Sequence, residues 1–151
     1  MDIHLQSESA SFTLRAAALI VQDGRALLVR NDLLDCFYTV GGKVRLNETS
    51  TQAVLRECQE ETGCRLEVDR LVFVQERFLR AQDVRHHEVV FFYLMKPAKL
   101  APTEGACMDQ PGERLHWVPF AQLAQLRLLP AFLAGALPCL PGEVTHIVSH
   151  D

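Results

Sequence analysis

Apolar positions along the chain fall into short, dense runs separated by polar breaks. Thr13 to Val21 ("TLRAAALIV") reads as a buried strand. Asp23-Gly24 follows as a hairpin signal, and Ala26 to Asn31 reads as the return strand. Cys36 to Val40, aromatic and β-branched, predicts a further short strand leading into Gly41-Gly42.

The spacing then turns helical. Thr49 with Gln52 three residues later forms a capping box, and Gly63 stands where a left-handed C-terminal cap is expected. Between them Val54, Leu55 and Cys58 share the face that meets a core. Downstream, Arg65 to Leu79 and His87 to Met95 read as strands paired antiparallel around "RAQDVRHH". Ala101 to Glu113 is a Pro- and Gly-containing loop, and Arg114 to Val118 a short strand. Pro119 begins a helix over "PFAQLAQL", "LLPAFLAGAL" (Leu128 to Leu137) predicts another, and Thr145 to His150 a last edge strand. A mixed sheet with few helices places the chain in the α/β (α+β mixed sheet) class.

At 151 residues, with no repeat or linker, the expectation is one domain over 1–151. A 48% apolar content is enough for a real core and argues against disorder. The net charge of −4, without a basic cluster, speaks against a nucleic-acid polymer as partner. A small phosphorylated ligand stays compatible, because a bound cation reverses the local sign. The five cysteines form no C-x-x-C pair and read as buried apolar residues in a reducing compartment. The polar N-terminus resembles no targeting peptide, and no apolar run is long enough for a membrane span, so a cytoplasmic protein is expected.

The candidate chemistry lies on the helix. At about 100° per residue, Glu57 and Glu61 lie about 40° apart on the wheel, with Glu60 about 60° to the other side. Three carboxylates on one face repel one another, unless a hard divalent cation, Mg²⁺ or Mn²⁺, sits among them. A merely solvated acidic face has the same local pattern, so the helix alone leaves both readings open.

The residues upstream extend the pattern. Gly42, Glu48, Arg56, Glu57, Glu60, Glu61 and Gly63, with apolar Cys58 and Cys64, stand at the spacing G-x5-E-x7-R-E-C-x-E-E-x-G-C. This resembles the Nudix box of the Nudix hydrolases at every defining position. The resemblance implies a Nudix-like α/β/α sandwich, Mg²⁺ or Mn²⁺ as cofactor, and a small nucleotide as substrate. The reaction implied is attack of water on phosphorus in a nucleoside diphosphate linked to another group. It implies Glu57 and Glu61 as first metal ligands, then Glu60, with a glycine carbonyl at Gly41. Glu48 and Arg56 resemble the family's internal bracing pair. Glu60 or Glu88 is expected as the general base, with Glu104 or Glu113 as alternatives. Lys43 and Arg45 are expected to meet substrate phosphates, as is Arg30 at the end of its strand. A homodimer is compatible with the family.

The chain departs from the common pattern at Val40, where many members have proline, at Arg45, where many are acidic, and at Asn47, where many have glycine. The downstream proline and tyrosine that mark two known substrate classes are missing near Leu79 and Ala81. Nucleoside triphosphates, nucleotide sugars or a less usual diphosphate remain. A nucleotide-sensing domain without chemistry is the alternative, though such domains usually carry an eroded glutamate set. His86 and His87, adjacent on a strand, face opposite ways and make a poor metal pair. Trp117 and Phe91-Phe92-Tyr93 read as core.

Overall fold

The computed structural model describes residues 1–151. Eleven strands join in one mixed sheet: β1 (His4–Gln6), β2 (Ala10–Leu19), β3 (Val21–Gln22), β4 (Arg25–Asn31), β5 (Cys36–Lys43), β6 (Val68–Ala81), β7 (Val84–Met95), β8 (Gly105–Ala106), β9 (Glu113–Pro119), β10 (Leu128–Leu129) and β11 (Thr145–His150). The main path runs β11-β6-β7-β2-β5-β4-β9-β8. β2 pairs β7 and β11 pairs β6 in parallel, while β6/β7, β2/β5 and β4/β9 are antiparallel.

The helix α1 (Ser50–Thr62) forms between its expected caps. Thr49 Oγ1 accepts the Gln52 N–H at 3.1 Å, and Gln52 Oε1 accepts the Thr49 N–H at 2.8 Å. Gly63 closes it at φ 72°. Ala53, Val54 and Cys58 are fully buried in a core with Ala16, Ala18, Val29 and Met95. A fully buried Val or Leu contributes about 1.5–3 kcal/mol, so this stripe fixes the helix against the sheet. The opposite face carries a second core, in which Leu133 of α2 (Leu133–Ala136) packs with Leu123, Phe73 and Phe92. Helices on both faces make the α/β/α sandwich.

Several elements differ from the sequence pattern. β6 and β7 run to a two-residue turn at Gln82 and Asp83 rather than a loop over "RAQDVRHH". Both turn residues have positive φ, 49° and 65°, which suits the twist of a tight hairpin. "PFAQLAQL" forms a 3-10 turn over Phe120–Gln125, because Leu126 must be extended for Leu128 to pair with Phe37. Within "LLPAFLAGAL", Pro130 keeps the residue before it extended, so Leu128–Leu129 is a strand and only Leu133–Ala136 is helical. Strand β1 lies in the polar N-terminus, which carried no apolar run. Cys36, Cys58 and Cys107 are buried as expected, but Cys64 is half-buried and Cys139 exposed. Phe92 and Tyr93 are buried in the core as expected, and Phe91 and Trp117 pack at its margin. No helix is long and apolar enough to cross a membrane.

Candidate active site

Strand β5 and helix α1 are joined by a loop of six residues, and the site is built where they meet. Gly41 and Gly42 sit at the end of β5, paired with Ala17 and Ala16 of β2. Gly41 has φ 157°, and a Cβ there would strike the Ala16 carbonyl. A Cβ on Gly42 would occupy the space that the Glu57 carboxylate fills. The glycine pair therefore lets two carboxylates of α1 press against backbone. Glu57 lies on Gly42, and Glu61 Oε1 accepts the Gly41 N–H at 3.1 Å.

Arg56 braces this arrangement. Its Nε and Nη2 donate to the two carboxylate oxygens of Glu48 at 2.7 and 2.9 Å, a bidentate pair. Nη2 also donates to the Lys43 carbonyl at 3.0 Å, tying the loop to β5. Nη1 reaches Glu57 Oε1 at 2.6 Å and Glu60 Oε2 at 3.3 Å. One guanidinium thus holds three glutamates and a backbone oxygen.

The carboxylates are not alike. The Arg56 hydrogen bonds hold the Glu48 carboxyl below its usual range. Burial pushes the Glu57 carboxyl up, opposed by Arg56. Burial pushes Glu61 up to about 8, despite the Gly41 N–H, and the Glu57, Asp109 and Glu113 charges add to the rise. Glu60 is more open, with its side chain 37% exposed. All three acids stand in the last two turns of α1, which has no basic residue in its final turn. The helix dipole there disfavours negative charge as well. Without a cation, burial and the neighbouring acids oppose ionisation of Glu57 and Glu61.

A fourth acid completes the cluster. Oxygen atoms of Glu57, Glu60 and Asp109 lie within 4.8 Å of one another. Asp109 comes from the loop between β8 and β9, which the sequence marked only as a loop. The Met108 N–H donates to the Glu61 carbonyl at 3.1 Å and docks that loop on the end of α1. The Cys107 thiol, pushed up to about 12 by burial and by Asp109, donates to Asp109 at 3.2 Å. Nothing in the local sequence around Asp109 distinguishes it from a solvated loop acid. Hard oxygen donors, short of counter-charge and converging on one point, fit a divalent cation such as Mg²⁺ or Mn²⁺.

The cluster borders a cavity of about 630 Å³. Lys43, Arg45, Glu60, Glu61 and Arg56 line it, as does Glu88. Arg45 is exposed and lies only loosely near Asp2 and Glu60, at 3.9 and 3.7 Å. Glu88 is held by Arg77 at 3.3 Å and pairs in register with Thr13. Gly42 pairs with Ala16, three residues further along β2, so Glu88 is offset from Gly42 by about 10 Å along the strand direction. Arg30 does not line the cavity. It is engaged by Asp32 and Asp35 at 3.0 and 2.7 Å, over the Phe37 ring. The sequence placed Arg30 at a strand end, but its local acids draw it to the surface. Arg15 and Arg77 line the cavity instead. Glu48 and Glu104 are absent from the lining, and Glu104 accepts the Trp117 N–H at 3.0 Å. Glu113 does line it, bonded by the Tyr38 hydroxyl.

The family model for the NUDIX domain matches residues 12–138. The chain belongs to the Nudix family. A "MutT-like protein" from Streptomyces ambofaciens is 31% identical over 136 residues, 90% of this chain and 81% of that relative. The crystal structure of a MutT Nudix hydrolase from Burkholderia pseudomallei is 28% identical, with a TM-score of 0.63 over 82% of this chain and 95% of that one. A mutator MutT protein from Bacillus halodurans superposes with a TM-score of 0.67 at 16% identity, covering 91% of this chain and 89% of that one, and so shares the fold. With its box complete, this Nudix chain is a pyrophosphohydrolase, acting on an acid anhydride of phosphorus.

Proposed function

We propose that this Nudix domain, spanning 1–151, hydrolyses a diphosphate linkage in a nucleoside diphosphate joined to another group. Nucleoside triphosphates and nucleotide sugars are the substrate classes, and Mg²⁺ or Mn²⁺ the cofactor. The observation that carries this reading is the convergence of Glu57, Glu60 and Asp109 oxygens beside the cationic residues Lys43 and Arg45 on one cavity wall.

In this reading Glu57 and Asp109 would hold the cation, with Glu61 and the Gly41 carbonyl adjoining and Glu60 at the edge of the cluster. The cation, when bound, offsets the charge of the diphosphate and polarises its P–O bonds. The chain supplies the rest. Lys43 and Arg45 bind phosphate oxygens. Arg56, clamped by Glu48, fixes the carboxylates, so that little reorganisation accompanies reaction. Glu60 accepts the proton of the attacking water. It is the only acid of the α1 trio open to solvent, and water can reach it within hydrogen-bond range. Glu88, which lines the same cavity three register positions from Gly42, faces the part of the substrate beyond the diphosphate. A cytoplasmic location and a small-molecule partner, with neither nucleic acid nor membrane, follow from the same reading.

The test is a panel of nucleoside triphosphates and nucleotide sugars incubated with Mg²⁺ or Mn²⁺, scored by product identity. Release of a nucleoside monophosphate with pyrophosphate or a sugar phosphate supports the reading. No turnover of any member with either ion contradicts it.

A further inference from the structure

The cavity extends well past the carboxylates. A cross-strand row lines it: Lys43 of β5 pairs with Arg15 of β2, Arg15 with Val90 of β7, and Val90 with Gln75 of β6. Residues in register share a face of the sheet. Three members of this row, at two places, are unsatisfied within the protein.

Arg15 and Lys43 are like charges directly opposite each other, which is an unfavourable pairing in a sheet. Neither side chain has an acidic partner. The pair becomes favourable once an anion lies across it. Gln75 is the second case. It is 0% exposed, and its Nε2 donates to Ser149 Oγ at 3.0 Å, but Oε1 has no partner. A buried carbonyl oxygen without a donor is rare and costs about as much as the bond it lacks.

The two lie two strand spacings apart, about 10 Å. That is comparable with the reach of a nucleotide from its phosphate, past the ribose, to the edge of the base. Val90 supplies apolar surface between them, and Phe92, in the neighbouring row, widens it.

We infer that Arg15 and Gln75 orient the substrate: Arg15 binds a phosphate oxygen, and the Gln75 amide oxygen accepts a hydrogen bond from an exocyclic amine of the nucleobase. Cytosine and adenine carry that amine opposite the glycosidic bond and guanine carries one at C2, while uracil and hypoxanthine have none and present a carbonyl. The inference rests on the proposed nucleotide substrate. The amide is sealed from bulk water, so the base reaches it only as side chains lining the cavity shift. The C-terminal strand β11 takes part through Ser149, which fixes which end of the amide faces the cavity.

The experiment compares binding of CMP and UMP by calorimetry with Mg²⁺ present, alongside turnover of CTP and UTP, for wild type, Gln75→Leu, Gln75→Met and Arg15→Gln. Thermal melts identify which variants fold. Wild type is expected to bind CMP at least about tenfold more tightly than UMP. Either folded Gln75 variant should bring that ratio near one, mainly by weakening CMP. Arg15→Gln should weaken both nucleotides by a similar factor, roughly tenfold, and leave the ratio intact. A wild-type ratio near one, a preference for UMP, or a folded Gln75 variant that keeps the ratio overturns the inference. Selective CMP binding without turnover of any nucleotide would remove the proposed activity and leave this inference standing. Equal turnover and equal binding of both pyrimidines would do the reverse.

Discussion

The Glu57 carboxylate rests directly on Gly42, in the space where any other residue would carry its Cβ. Gly42→Ala therefore removes no acid but pushes Glu57 off the backbone. The expected result is a loss of kcat of at least about a hundredfold, since displacement of an aligned group by an ångström has effects of that order. The far-ultraviolet spectrum should stay native. Steady-state kinetics and circular dichroism of the variant check it, and near-wild-type kcat would show that the close approach does not matter.

Arg56 bonds Glu48, Glu57, Glu60 and the Lys43 carbonyl, so its loss unpairs several partly buried groups at once. Arg56→Ala should destabilise the fold by about 2 kcal/mol or more. Arg56→Lys keeps the charge but not the fork, and should retain stability better than activity. Urea denaturation beside kcat measurements separates the two. Equal stability of the alanine variant and wild type would contradict the bracing role.

Glu61 gives a pH dependence of known sign. Its folded carboxyl is raised to about 8, far above the unfolded value of about 4.3. The folded state therefore holds this proton more tightly than the unfolded state does. Its contribution to stability is complete below about pH 4 and is lost as pH rises through about 8. Metal-free protein should show this contribution as a decline in Tm between about pH 5 and 8. Glu61→Gln should flatten that decline, and Mg²⁺ or Mn²⁺ should offset it by binding the ionised cluster. Scanning calorimetry across this range tests the sign. A Tm decline of the same size in Glu61→Gln would assign it to another group.

Asp109 lies outside the box but within 4.8 Å of Glu57 and Glu60 by its oxygens. Asp109→Asn should raise the Mg²⁺ concentration needed for half-maximal rate by about tenfold or more, with a smaller fall in kcat at saturating metal. A metal titration of activity decides this. An unchanged midpoint would place Asp109 outside the cation site.

The helix and its chemistry were legible because they are local. Capping at Thr49 and Gly63, the Val54 and Cys58 stripe, and the acids at Glu57, Glu60 and Glu61 all lie within one stretch whose geometry follows from 3.6 residues per turn. The Glu48–Arg56 pair was implied by the resemblance to the Nudix box, since Glu48 stands in the loop before the helix. What escaped depends on contacts distant in sequence. Asp109 joins the cluster because the Met108 N–H meets the end of α1, and Gln75 reaches the cavity through a register three strands wide. Arg30 stands at its strand end as expected, but Asp32 and Asp35, two and five residues on, hold it away from the cavity lining. "LLPAFLAGAL" has helical composition, but Pro130 and the pairing of Leu128 with Phe37 override it.

The most direct measurement is hydrolysis of the best nucleotide of the panel by wild type and by Glu57→Gln, with Mg²⁺ or Mn²⁺ and then with excess chelator. Wild type should turn over only with the ion. Glu57→Gln, folded by its melt, should lose at least about a thousandfold in kcat, the scale expected when an electrostatic stabiliser of the transition state is removed. Turnover that survives chelation, or a folded Glu57→Gln variant with near-wild-type kcat at saturating metal, would contradict a cation held by this cluster.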